Sequence, residues 1–141
     1  MGQLQDEARG KSPSDVGKPA QRVLVVDDEP LARWSIGEVL GERGYRVTAA
    51  ADAVSAFRAL AATDGPPDLV LLDMRLPDST DLAALSIMHR LFPKLPIVLM
   101  TAHGGPELFG EARRRGAAAV MSKPFEIDAV GPMVEHVLAN H

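Results

Sequence analysis

Five residues of this chain, Asp27, Asp28, Asp73, Thr101 and Lys123, are of the types that manage phosphoryl groups. Each follows a short apolar run: Val23-Leu24-Val25-Val26, Leu69-Val70-Leu71-Leu72, Ile97-Val98-Leu99-Met100, and Ala117 to Met121. Carboxylates gathered in one place repel and raise one another's pKa, and a hard divalent cation removes the repulsion. Mg²⁺ takes oxygen ligands, keeps several waters and commonly binds one or two carboxylates with a phosphate. A lysine ammonium is a compact point charge that counters a carboxylate or holds a phosphoryl oxygen. A threonine hydroxyl offers a donor to the same oxygen. Such a set would make a phosphoryl-transfer site with an aspartate nucleophile. A single strand-end aspartate can equally cap a turn, so the company of the other strand ends carries the argument.

These groups can meet only if the strands lie side by side. The stretch Asp68 to Pro77 is the centre of the pattern. Its four consecutive apolar residues carry no helical stripe, and prolines bound it on both sides. It reads as a strand buried on both faces, as in a parallel sheet. The first strand is Arg22 to Val26, and Pro30 then opens a helix to about Arg43, stopped by Gly44. Ala32, Ser35, Ile36, Val39 and Leu40 form its inward stripe, and Trp34 lies off it, half exposed. Tyr45 to Ala50 is the second strand. Asp52 caps a helix through about Ala62, with Ala53, Ala56, Phe57 and Leu60 inward.

Beyond the central strand, Ser79-Thr80-Asp81 starts a helix to about Phe92, with Leu82, Leu85, Met88, Leu91 and Phe92 as its stripe. Ile97 to Met100 is the fourth strand, ending at Thr101. Pro106 opens a helix that ends near Gly116, its three terminal arginines solvated and suited to the helix dipole. Ala117 to Met121 is the fifth strand. A last helix is expected from Glu126 to Ala139, interrupted by Gly131-Pro132. One kinked helix, or two short helices meeting near Gly131, is expected there, because proline removes a backbone bond and crowds the preceding turn.

Five strands alternating with five helices predict an α/β fold, a doubly wound parallel sheet of (βα)5 type. Right-handed crossovers leave few topologies, and the flavodoxin-like strand order 2-1-3-4-5 is the foremost. That order makes strands 1, 3, 4 and 5 neighbours. Ligands of open α/β sheets bind outside the carboxyl ends of the strands, where the five residues stand.

The totals agree with one ordinary domain: 141 residues, 46% apolar, net charge -4 and no cysteine. The negative charge argues against bulk attraction to nucleic acid or anionic membranes. Disulfides and thiolate metal sites are excluded. No apolar run approaches the roughly 18 residues of a membrane span, and no signal-peptide core appears, so a cytoplasmic protein is expected. Residues 1–20 are polar and rich in Gly, Ser and Pro, and read as a flexible tail; residues 21–141 form the domain.

Four motifs, Val25-Val26-Asp27-Asp28-Glu29-Pro30, Leu71-Leu72-Asp73-Met74-Arg75-Leu76-Pro77, Met100-Thr101-Ala102 and Ser122-Lys123-Pro124-Phe125, stand in this order at strand ends. In them the chain resembles the receiver domain of two-component response regulators, over about residues 21–139. Asp-Met-Arg-Leu-Pro and Arg33-Trp34 resemble the receivers of NtrC-type transcriptional activators. The resemblance implies a phosphorylation-dependent switch rather than an enzyme, beyond slow self-dephosphorylation. Asp73 would accept phosphate from a sensor histidine kinase or phosphotransfer protein. Asp28 would bind Mg²⁺ directly, with Asp27 assisting and the backbone carbonyl of Arg75 completing the protein ligands. Thr101, Ala102 and Lys123 would surround the phosphoryl oxygens, and Lys123-Pro124 would be a cis peptide. An output protein or domain would read the changed surface, without direct nucleic-acid or membrane binding by this chain.

The sequence departs from the family in three places. Val120 stands where receivers usually place a switching Tyr or Phe. The loop after Asp73 lacks the usual glycine near Ser79. Gly131-Pro132 interrupts a helix that many relatives use to pair, so a standard dimer is not expected. Two other chemistries fit worse. A haloacid dehalogenase-like phosphatase needs a second acid two residues after the nucleophile, where this chain has Arg75. A flavin carrier needs a phosphate loop after the first strand, where Asp27-Asp28-Glu29 would repel a phosphate.

Overall fold

The computed structural model describes residues 19–141; the tail expected over residues 1–20 falls, as far as residue 18, outside them. The chain alternates strand and helix as expected: β1 (Arg22–Val26), α1 (Pro30–Glu42), β2 (Arg46–Ala50), α2 (Ala53–Leu60), β3 (Leu69–Asp73), α3 (Ala83–Leu91), β4 (Ile97–Thr101), α4 (Pro106–Arg114), β5 (Ala119–Ser122) and α5 (Val130–Ala139), the last preceded by a single 3₁₀ turn, Ile127–Ala129. The strands form one parallel sheet in the order β2-β1-β3-β4-β5.

Alternation along the strands divides the core in two. Val23 and Val25, Leu69 and Leu71, Val98 and Met100 point to one face. There they meet Ile36 and Leu40 of α1 and Val130, Val134 and Val137 of α5. Leu24 and Val26, Val70 and Leu72, Ile97 and Leu99 point to the other, against Ala56 and Leu60 of α2, Leu85 and Met88 of α3 and Ala112 of α4. Every residue of β3 and β4 is buried. Burying one such Val or Leu side chain is worth about 1.5–3 kcal/mol. A one-residue register slip would therefore exchange the two cores and is strongly disfavoured.

The last segment consists of two short helical pieces. The 3₁₀ turn and α5 meet between Ala129 and Val130. Pro132 consequently sits in the first turn of α5, where a missing N–H leaves no bond unmade. The Arg43 side chain crosses Gly131 to reach Glu135, and a Cβ at this position would make that flexible side chain shift.

Four expectations need correction. Helix α3 begins at Ala83, not near Ser79, because Asp81 adopts φ 48°. That left-handed conformation cannot continue into a right-handed helix. Leu91 is 58% exposed, and Phe92 packs on the core in its place. Trp34 is more exposed than expected, at 64%. Strand β5 starts at Ala119 rather than Ala117, because Ala117 N–H still bonds back to Ala112 in closing the end of α4.

Candidate functional site

The parallel register brings the strand ends into one crevice. Asp27 follows β1 and is fully buried; its N–H bonds the carbonyl of Ala50 at the end of β2, 3.1 Å away. Asp73 is the last residue of β3 and is buried. Thr101 closes β4 opposite Ser122, and its carbonyl accepts a bond from Lys123 N at 2.7 Å. That bond places Lys123 over the acids. Its Nζ lies 2.9 Å from Asp27 Oδ2, 3.2 Å from Asp73 Oδ2 and 3.9 Å from Glu29 Oε1.

The second oxygens of the two buried acids are also engaged. Asp27 Oδ1 accepts from Glu29 N at 3.0 Å, and Asp73 Oδ1 from Arg75 N at 3.2 Å. Asp28 is exposed at the mouth. Oxygen atoms of Asp27, Asp28 and Asp73 all lie within 4.8 Å of one another, and among the described residues this is the acid cluster able to hold a metal ion.

Charge and burial oppose each other here. Burial pushes the Asp73 carboxyl above its ordinary value. The Arg75 N–H and the Lys123 charge pull it down without overcoming that, and Asp27 adds a further upward push. Burial alone would lower the Lys123 ammonium, but the hydrogen bond and charge of Asp27, then those of Asp73, hold it above its ordinary value. The site is thus short of positive charge, which a divalent cation supplies.

Asp27, Asp28, Asp73 and Lys123 meet as expected. Thr101 is 2% exposed and its hydroxyl is turned to local partners, donating to Met74 Sδ at 3.4 Å and accepting from His103 N at 3.1 Å. Ala102 is exposed beside it. Arg75 belongs to the turn leaving β3. The Lys123-Pro124 bond is cis. Val120 is half-buried on β5 and packs on the α2–α4 side of the sheet. Three contributors have no assigned role in the sequence reading. Glu29 adds a third acid near Lys123. Arg33 Nη1 bonds the Asp27 carbonyl at 2.8 Å. Met74 holds the Thr101 hydroxyl. Glu29 was legible as the third acid of its run; the other two are long side chains reaching back, which spacing does not reveal.

The response regulator receiver domain family matches residues 23–135. This chain is a receiver domain. It is 32% identical to the sporulation initiation phosphotransferase F of Bacillus subtilis over 118 residues, covering 84% of this chain and 94% of that one. It is 33% identical to the DNA-binding transcriptional regulator NtrC of Escherichia coli over 119 residues, 84% of this chain but 25% of that one. The crystal structure of the receiver domain of NtrX from Brucella abortus superposes with a TM-score of 0.76 at 36% identity, covering 84% of this chain and 99% of that domain. The receiver thus spans about a quarter of the length of the NtrC regulators it matches. Receiver domains are phosphorylation-dependent signalling switches of two-component systems that bind Mg²⁺ at an acidic pocket, and this receiver has such a pocket at its strand ends. No helix among the described residues is long and apolar enough to cross a membrane.

Proposed function

We propose that Asp73 is the phosphoacceptor of this receiver, that Mg²⁺ is its cofactor, and that a phosphohistidine of a sensor kinase or phosphotransfer protein is its donor. The observation that carries the reading is the convergence of Asp27, Asp28, Asp73 and Lys123 on one crevice. The donor set fits a hard cation: carboxylate oxygens, one of them from an exposed residue, with no thiolate or imidazole among them. Asp28 and Asp73 would hold the ion with the Arg75 carbonyl, and Asp27 would assist while paired to Lys123. When bound, the ion neutralises charge on the transferring phosphoryl group.

The residues of the chain do the rest. One Asp73 carboxylate oxygen attacks phosphorus as the phosphorus–nitrogen bond of the donor breaks, and the imidazole leaves with that electron pair. Lys123 moves its attention from the Asp73 oxygen to a phosphoryl oxygen, remaining anchored on Asp27. Thr101 exchanges its Met74 and His103 contacts for a bond to another phosphoryl oxygen, with Ala102 beside it. Because Val120 supplies no ring, this movement rearranges the face formed by α4, β5 and α5 less than an aromatic would. The altered surface acts on an output protein or domain, in a cytoplasmic setting, and the chain itself carries out no turnover beyond slow hydrolysis of its own acyl phosphate. Arg75 occupies the place at which a dehalogenase-type phosphatase needs its second acid.

The test is incubation with acetyl phosphate and Mg²⁺, read by intact mass. One added phosphoryl group is expected, absent from Asp73→Asn and from protein stripped of divalent ions. Equal addition to Asp73→Asn would refute the assignment.

A further inference from the structure

We propose that Asp78 is a positioning residue for the cation site, fixing the turn that carries Arg75 by capping helix α2 from across a groove. The inference rests on the reading that Asp73 and the Arg75 carbonyl hold the ion.

The chain between Asp73 and α3 has few anchors. Met74 N bonds the Met100 carbonyl at 2.8 Å, Arg75 N bonds Asp73 Oδ1, and Leu76 is buried. Beyond Leu76 the loop folds back on itself, with Ser79 N on the Leu76 carbonyl at 3.3 Å. Leu76 shares a buried cluster with Ala53, Ala56 and Leu60 of α2, but Pro77, Asp78 and Thr80 are exposed. A groove of about 440 Å³ separates this part of the loop from α2, lined by Val54, Phe57, Pro77, Ser79 and Thr80 among others. One side chain crosses it. Asp78 Oδ1 accepts from Ala53 N at 2.7 Å and Oδ2 from Val54 N at 3.0 Å. Among the described residues, these are the hydrogen bonds that join the loop to α2.

Both are charge-assisted bonds to N–H groups that no helical carbonyl can satisfy. They couple two sides of the crevice. Helix α2 follows β2, whose last carbonyl holds Asp27 N; the loop leaves β3 at Asp73. The β1–β3 pairing sets the spacing of the strand ends, and Asp78 adds a tie from α2 to the turn that carries Arg75. Without it, the Arg75 N–H that orients Asp73 and the Arg75 carbonyl keep only their near anchors, Met74 N on the Met100 carbonyl and the buried Leu76. Groups that orient metal ligands from outside typically change metal affinity by about tenfold or more when removed.

The same helix supplies an internal control. Asp52 caps it too, through Ser55 N at 2.8 Å, but does not touch the loop. The two truncations, Asp78→Ala and Asp52→Ala, should lower the melting temperature alike. Only Asp78→Ala should weaken binding of Mg²⁺ alone, followed by amide NMR titration, by about tenfold. The Mg²⁺ concentration giving half-maximal acetyl phosphate uptake should rise in step. Asp78→Asn keeps one acceptor oxygen and should fall between. Equal Mg²⁺ affinity in Asp78→Ala and Asp52→Ala, at a loss or at none, would overturn the proposal while leaving the site reading intact. A wild-type protein that bound no Mg²⁺ would overturn the site reading itself.

Discussion

Lys123 Nζ is held closer to Asp27 than to Asp73, 2.9 Å against 3.2 Å, although Asp27 lies 96 positions away in the chain. The lysine is thus moored to the acid that is fully buried and lends its charge to the one that would react. Replacing it with alanine leaves two buried carboxylates facing each other without a counter-charge. Breaking a buried ion pair from one side costs about 3–5 kcal/mol, and the lower end is expected because the Lys123 head retains some access to water. Thermal melts should show the loss in metal-free buffer, and Mg²⁺ should restore more stability to Lys123→Ala than to wild type, because the cation takes over the ammonium's work. Equal Mg²⁺ stabilisation of both proteins would contradict this.

The raised Asp73 carboxyl gives a signed pH effect. A carboxyl whose folded pKa exceeds its unfolded pKa binds its proton more tightly in the folded state. Stability then falls as pH rises from the ordinary carboxylate value through the folded one, and the penalty is complete above it. Asp73→Asn removes the penalty. In metal-free buffer at neutral pH the variant should melt higher than wild type, and the gap should close as acid protonates Asp73. A variant less stable than wild type at neutral pH would sink the argument.

Asp81 stands in the left-handed region at φ 48°, where Asp is tolerated but glycine costs less. Asp81→Gly should stabilise the fold by about 0.5 kcal/mol, the relief of left-handed backbone exceeding the entropy that glycine adds to the unfolded chain. Urea midpoints measured at constant slope would report it.

Two glycine-to-alanine changes should have opposite signs. Gly116 has φ 113°, and a Cβ there would fall 2.2 Å from His89 Cγ. Its replacement should cost about 2–3 kcal/mol through overpacking and backbone strain. A Cβ on Gly41, within α1, meets nothing within 4 Å, so alanine there should add about 0.5 kcal/mol from helix propensity. Calorimetry on both variants checks the pair; a stabilised Gly116→Ala would contradict the packing described.

The sheet order and the strand-end residues were legible in the sequence because both follow from local signals. Apolar runs bounded by turn residues mark the strands, and a parallel sheet places their carboxyl ends together. What escaped depended on side chains meeting across loops. Asp78 reaches a helix that starts 25 positions before it, and polar loop residues carry no periodicity that would reveal such a partner. The onset of α3 lies later than the sequence suggests because Asp81, a residue common in turns, carries no sequence sign of its left-handed backbone. Leu91 continues an i, i+3 spacing that points inward, yet at the end of α3 the core position goes to Phe92, the residue that caps it. Pro132 has the signature of a helix breaker, yet α5 begins at Val130 and places it in the first turn.

Strand β3 has a hydrogen-bonded neighbour on each side and buries all of its residues. Its amides can exchange with solvent only when the whole sheet parts, so they should carry the protection of global unfolding. Asp28 and the turn at Arg75 belong to exposed connections, which open and reclose at far lower cost. One crevice therefore runs on two clocks. The carboxylate of Asp73 keeps its address for as long as the molecule stays folded, while the groups around it can loosen to admit and discharge a donor many times within that interval.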